Sequence, residues 1–208
     1  MHTHTQATRD SLSPEAALQI LKEGNGRFRA NLKANRDLLQ QVKDTSDGQW
    51  PFAVVLSCID SRTPAELIFD QGLGDIFSIR IAGNFLNDDI LGSMEFSCAV
   101  AGAKLVVVLG HSHCGAIKGA CDEVELGLLT GMLKKIKPAV DAVPTPTNPV
   151  ERSSTNAEFV DSVARENVRR SVDGILEQSD VLGEMSDAEG IKVIGGMYSV
   201  ETGEVEFF

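Results

Sequence analysis

Long apolar runs are missing from this chain. Nothing approaches the roughly 18 consecutive apolar residues that a membrane span needs, so no membrane partner is expected. Basic charge is also scarce: 19 Lys and Arg stand against 30 Asp and Glu, a formal net charge of −11. No Lys/Arg run builds a basic face, which argues against nucleic acid and against anionic membrane surfaces. Neither GxxxxGK[ST] nor GxGxxG occurs, so no phosphate-cradling loop is expected. The opening MHTHTQATRDSLSPEAAL lacks the apolar core of a signal peptide and carries acidic residues early. It reads as the start of an unexported, cytoplasmic protein. Residues 1–12 read as a flexible tail, with His2 and His4 solvated in it rather than paired on a metal.

What is present suits one domain over 13–208. Apolar residues make up 42% of the 208, enough for a core, and charged residues 24%. Ser13-Pro14-Glu15 is a helix start, with a capping hydroxyl, a proline suited to the first turn and an acid at the positive end. Leu18, Leu21, Phe28 and Leu32 follow at roughly helical spacing, and Gly24 and Gly26 are candidates to bend or break that helix. The polar stretch to Asp47-Gly48 reads as an arm and loop lying on the rest of the protein or on a second subunit. Phe52–Ser57 and Leu105–Leu109 are continuous apolar runs, the pattern of strands buried on both faces. Ile76–Ile81 and Ile191–Ile194 read as further strands, and Met197–Phe208 as a hairpin across Glu201-Thr202-Gly203. Helices are expected over 64–69, over 89–102, after Gly115 and from Val160 to Leu176; AVPTPTNPVERSSTN, residues 142–156, reads as a loop. Strands alternating with helices predict an α/β fold: a mostly parallel central sheet flanked by helices, an antiparallel C-terminal edge hairpin and an N-terminal helical arm.

Four cysteines in 208 residues are not a disulfide scaffold, and a reducing cytosol disfavours disulfides. Cys58 and Asp60 directly follow one buried strand; His111 and Cys114 follow another. Ligands gather at the carboxyl ends of strands in open α/β sheets. Cys, His and Cys suit zinc, and three protein ligands with a fourth position open is the catalytic pattern. The bland alternative is one reduced, buried cysteine near an unrelated turn. Asp60 and Arg62 stand two apart and can form an ion pair, either purely structural or one that keeps the carboxylate ionised beside a metal. Asp60 then has two readings: a metal ligand that closes the site, or a carboxylate held away by Arg62 that accepts a hydrogen bond from metal-bound hydroxide. Cys98 and Cys121 read as core thiols. His113 is either a proton relay or an incidental exposed histidine.

CIDSR at 58–62 with GHSHCGA at 110–116 resembles the β-class carbonic anhydrases. The segments PAELIFDQGLGDIFSIRIAGN at 64–84 and GSMEFSCAVAGAKLVVVLGH at 92–111 are similar to that family's core. So are EGNGRF in the first helix and the terminal IGGMYSVETGEVEF. The resemblance implies zinc-dependent, reversible hydration of CO2 to bicarbonate by metal-bound hydroxide, with one Zn²⁺ per chain. It implies Cys58, His111 and Cys114 as zinc ligands, Asp60 and Arg62 as the catalytic dyad, and Asp60 as a further ligand in a closed form. It also implies a homodimer or larger homo-oligomer with the active site at the subunit boundary. Gln49 would reach substrate across that boundary, and Phe77, Ile81, Phe96 and Gly115 would lie at pocket positions. Two departures stand out. Phe96 replaces a tyrosine that many members carry. Val55 stands where members inhibited by bicarbonate at a second site carry tryptophan, so an open site at neutral pH is expected. The rival readings are hydrolysis of carbonyl sulfide or carbon disulfide on the same scaffold and, from another class, a non-catalytic zinc or thiol-redox protein using Cys58 and Cys114.

Overall fold

In the computed structural model, which describes residues 3–208, one five-stranded sheet organises the chain. The strands are β1 (Ala53–Ser57), β2 (Ile76–Arg80), β3 (Leu105–His111), β4 (Lys192–Tyr198) and β5 (Val205–Phe207), in the order β2-β1-β3-β4-β5. The first four are mutually parallel, and β5 runs antiparallel to β4. Parallel core and antiparallel edge are both as the sequence predicts.

The continuous apolar runs divide by the pleat. Val54 and Leu56 of β1, with Val106 and Val108 of β3, enter one core. Ala53 and Val55, with Leu105, Val107 and Leu109, enter the other. Successive side chains of a strand point to opposite faces, so a strand covered on both sides needs apolar residues throughout. The first core is closed by α5 (Asp88–Glu95), α6 (Gly115–Cys121), α7 (Gly127–Leu133), α8 (Lys137–Ala142), α9 (Ala157–Gln178) and α10 (Asp180–Asp187). The second is closed by α2 (Pro14–Arg29) and α4 (Ala65–Ile68).

Several local expectations need amending. Ser13 caps α2, but Gly24 and Gly26 do not interrupt it. Gly24 serves close packing instead: a Cβ there would stand 1.8 Å from the Phe69 carbonyl oxygen. Asn25 beside it bonds to the Ile68 and Gly203 carbonyls, fastening the helix to α4 and to the terminal hairpin. The arm before β1 contains a short helix, α3 (Leu38–Asp44), capped by Asp37. The segment read as a flexible tail contains α1 (Gln6–Asp10), whose Arg9 is buried and donates to the Ala101 carbonyl; His4 packs edge-on to Phe52, and His2 lies outside the described residues. The helix expected over 89–102 is α5 continued by a π-helical turn, Phe96–Val100. Within 142–156 a short 3-10 turn forms at Pro149–Glu151. Among the described residues no helix is long and apolar enough to cross a membrane.

Candidate metal centre

The chain leaves β1 to build β2 on one side and later returns to build β3 on the other. The crevice at the carboxyl ends of β1 and β3 is therefore the topological switch point, where ligands bind in open α/β sheets. Cys58 is the first residue past β1, His111 the last of β3, and Cys114 caps α6. All three are buried, and one ligand atom from each lies within 4.8 Å of the others. The two sulfurs are 3.9 Å apart. Two thiolates on a tetrahedral zinc, each about 2.3 Å from the ion, sit about 3.8 Å from one another.

The imidazole is turned the right way for a ligand. His111 Nδ1 lies 2.9 Å from the Ser112 carbonyl oxygen, to which it donates in the tautomer that leaves Nε2 bare. That Nε2 is buried without a hydrogen-bond partner. A buried polar atom left unpaired is costly, and a cation between it and the two sulfurs removes the cost. The donor set of two sulfurs and one nitrogen suits zinc.

The electrostatics separate these cysteines from the other two. A hydrogen bond from Cys114 is the chief cause that lowers the Cys58 thiol to about 4, against the opposing effect of burial; the Gly83 N–H assists. Cys114 is pushed up by its bond to Cys58 and by burial. Burial alone raises Cys98 to about 12, and burial chiefly raises Cys121 to about 11; both are inert core thiols.

Asp60 stands beside the three donors. Arg62 holds it in a fork, Nε to Oδ1 at 2.9 Å and one guanidinium NH2 to Oδ2 at 2.7 Å, and the Arg62 backbone N–H adds a third bond to Oδ1 at 2.9 Å. These side-chain bonds, against a smaller opposing effect of burial, keep the carboxyl well below the usual carboxylate range. Oδ2 is 4.0 Å from His111 Nε2.

The loop that carries Cys58 and Asp60 is fastened by residues no motif pointed to. Thr63 is buried, and its hydroxyl donates to the Cys58 carbonyl at 3.1 Å and the Asp60 carbonyl at 2.9 Å. Arg80, at the end of β2, donates to the same two carbonyls at 3.0 and 2.6 Å. The Gly83 N–H donates to the Cys58 sulfur at 3.4 Å. His113 takes a left-handed conformation, φ 56°, and its ring bonds to Glu201 in the β4–β5 turn.

The expected pocket residues lie on different elements. Phe77 on β2 meets Phe96 edge-on, with ring centroids 6.3 Å apart, and Phe96 is half exposed. Ile81 follows β2 and packs partly buried on the core. Gly115 opens α6 next to Cys114. Gln49 is exposed in the segment leading to β1.

Comparison with known proteins agrees with this geometry. Residues 53–205 match the family described as carbonic anhydrase. Carbonic anhydrase 2 of Mycobacterium tuberculosis is 33% identical over 192 residues, covering 92% of this chain and 91% of that one. The solved structure of the β-carbonic anhydrase CcaA superimposes with a TM-score of 0.70 at 27% identity, over 92% of this chain and 94% of its own. A carbon disulfide hydrolase of Acidithiobacillus thiooxidans matches only in part, 32% identical over 77 residues, which is 34% of this chain and 36% of that protein. The match of three-quarters of the chain to one family, over the strands that bring Cys58, His111 and Cys114 together, makes this chain a member of the β-carbonic anhydrases.

Proposed function

We propose that the chain catalyses the reversible hydration of carbon dioxide to bicarbonate, with one zinc ion per chain held by Cys58, His111 and Cys114. The observation that carries this reading is the convergence of two buried thiols and a bare imidazole nitrogen beside a forked Asp60–Arg62 pair. Zinc held there supplies Lewis acidity and makes water more acidic, less strongly with two anionic sulfur ligands than with three neutral imidazoles.

The remaining work falls to the protein. The Ser112 carbonyl fixes the His111 tautomer, and Gly83 steadies the Cys58 sulfur. Arg62 keeps Asp60 ionised and fixes its orientation, so the carboxylate accepts a hydrogen bond from water at the site and turns that water's lone pair toward substrate. With both oxygens engaged by Arg62, Asp60 acts as acceptor and not as a fourth ligand. Carbon dioxide is small, linear and apolar. Phe77, Ile81 and Phe96 give it an apolar wall, Gly115 presents no side chain, and the Gln49 amide of a second copy donates to an oxygen. Gln49 is exposed on its own chain, β2 is an open sheet edge, and Ile59, Phe96 and Val100 are exposed apolar residues, all of which support assembly as a homodimer or larger homo-oligomer.

Hydrolysis of carbonyl sulfide is the second reading, favoured by the phenylalanine at 96 in place of a hydroxyl. Turnover of the purified enzyme on the two gases separates them. Carbon dioxide is expected to be the faster substrate, and a higher kcat/KM for carbonyl sulfide would overturn the assignment.

A further inference from the structure

The Ala82-Gly83-Asn84 segment that ends β2 forms a tight turn. The Asn84 N–H donates to the Ile81 carbonyl at 2.9 Å, and Gly83 has φ +82°. An i→i+3 bond with positive φ at the third residue is the mark of a type II turn. Types I and II differ by a flip of the central peptide, here Ala82–Gly83. The turn type therefore sets where the Gly83 N–H points, and it points at the Cys58 sulfur.

Helix α9 holds that turn from behind. Asn167 Nδ2 donates to the Gly83 carbonyl at 2.8 Å, and one helical turn on, Ser171 Oγ donates to the Asn84 carbonyl at 3.3 Å. Both side chains are buried, on a stripe otherwise made of apolar residues and Gly174. A polar group on such a stripe costs stability unless it is bonded. The two polar interruptions of this stripe are spent on one turn. Another residue at Gly83 would be strained, because φ +82° is a conformation that side chains with a Cβ rarely adopt.

We propose that Asn167 is a positioning residue for the metal centre. It pins the Gly83 carbonyl, holds the turn in the form whose N–H faces Cys58, and so keeps that sulfur in place for the ion, 84 residues away in sequence from the glycine it holds. The proposal rests on the reading of Cys58 as a zinc ligand.

The test uses the zinc-loaded enzyme, with release into a chromogenic chelator as one readout. The thiolate-to-metal charge-transfer band of the cobalt-substituted protein is the other. Asn167→Ala and the isosteric Asn167→Asp are expected to release zinc about tenfold faster and to shift the band. Ile175→Ala removes buried packing further along α9; it is expected to lower Tm while releasing zinc at the wild-type rate. Asn167 variants with wild-type release and an unchanged band would overturn the proposal. So would equal acceleration by Ile175→Ala, which would reduce Asn167 to general packing. A wild-type protein that takes up no zinc would refute the metal-site reading itself, a different failure from these.

Discussion

Thr63→Val tests how the catalytic loop is held. The substitution keeps shape and burial and deletes one hydroxyl, whose bonds at 3.1 and 2.9 Å reach the carbonyls of Cys58 and Asp60. Neither carbonyl is orphaned by the loss, because Arg80 continues to donate to both. The cost is therefore the net worth of the hydroxyl's bonds without the penalty of a stranded acceptor, about 1–2 kcal/mol. For a domain of this size that corresponds to a fall in Tm of about 2–8 °C. Thermal unfolding followed by circular dichroism measures it, with Thr63→Ser as the rescue that keeps the hydroxyl. CO2 hydration by the valine variant should fall as well, since the same two carbonyls carry a ligand residue and the dyad aspartate. An unchanged Tm, or a serine variant no better than valine, would refute the idea that this hydroxyl secures the loop.

Three further outcomes follow from the same geometry. Asp60→Asn should retain zinc and lose roughly 10²-fold in CO2 turnover, about what one positioned hydrogen-bonding group contributes; zinc loss in that variant would make Asp60 a ligand instead. Arg62 holds Asp60 as a carboxylate down to strongly acid pH, so Asp60 contributes no step near neutrality. Hydration should nevertheless rise with pH because two anionic sulfurs weaken the ion's pull on water, and a flat profile between about pH 6 and 9 would contradict this. Asp70 offers a stability test away from the centre. Burial opposes its ionisation, but Arg27 and Arg36 outweigh that and hold its carboxyl below the usual range. A depressed folded pKa means stability that is present above the unfolded value of about 3.9 and is lost as pH falls through the folded one. Asp70→Asn should therefore cost about 3 kcal/mol at pH 7 in urea unfolding, with the gap to wild type closing below about pH 4. A gap that does not depend on pH would sink the argument.

The strands and the three donors were legible in the sequence for simple reasons. A strand covered on both faces is apolar at every position, and Phe52–Leu56 and Leu105–Leu109 are. Donors at the ends of such strands sit beside those runs, so Cys58, His111 and Cys114 stand out as candidates once an α/β sheet is expected. The residues that hold them could not. Gly83, Arg80 and Asn167 act through hydrogen bonds to atoms 20 or more residues away, and an arginine or asparagine looks the same in sequence whether it faces solvent or a carbonyl. Gly24 shows the opposite error: its low helix propensity suggested a break, while a neighbouring carbonyl required a residue with no side chain. Gln49 carries no such local signal: its expected role follows from the resemblance, and on its own chain it is exposed.

The central claim is that two sulfurs and one imidazole nitrogen hold a catalytic zinc. Metal content of the purified protein, taken with CO2 hydration before chelation, after it and after zinc is restored, tests this most directly. The account predicts one zinc per chain, activity lost with the metal and regained with it, and neither property in Cys58→Ser. Full hydration activity in metal-free protein, or full zinc content in Cys58→Ser, would contradict it.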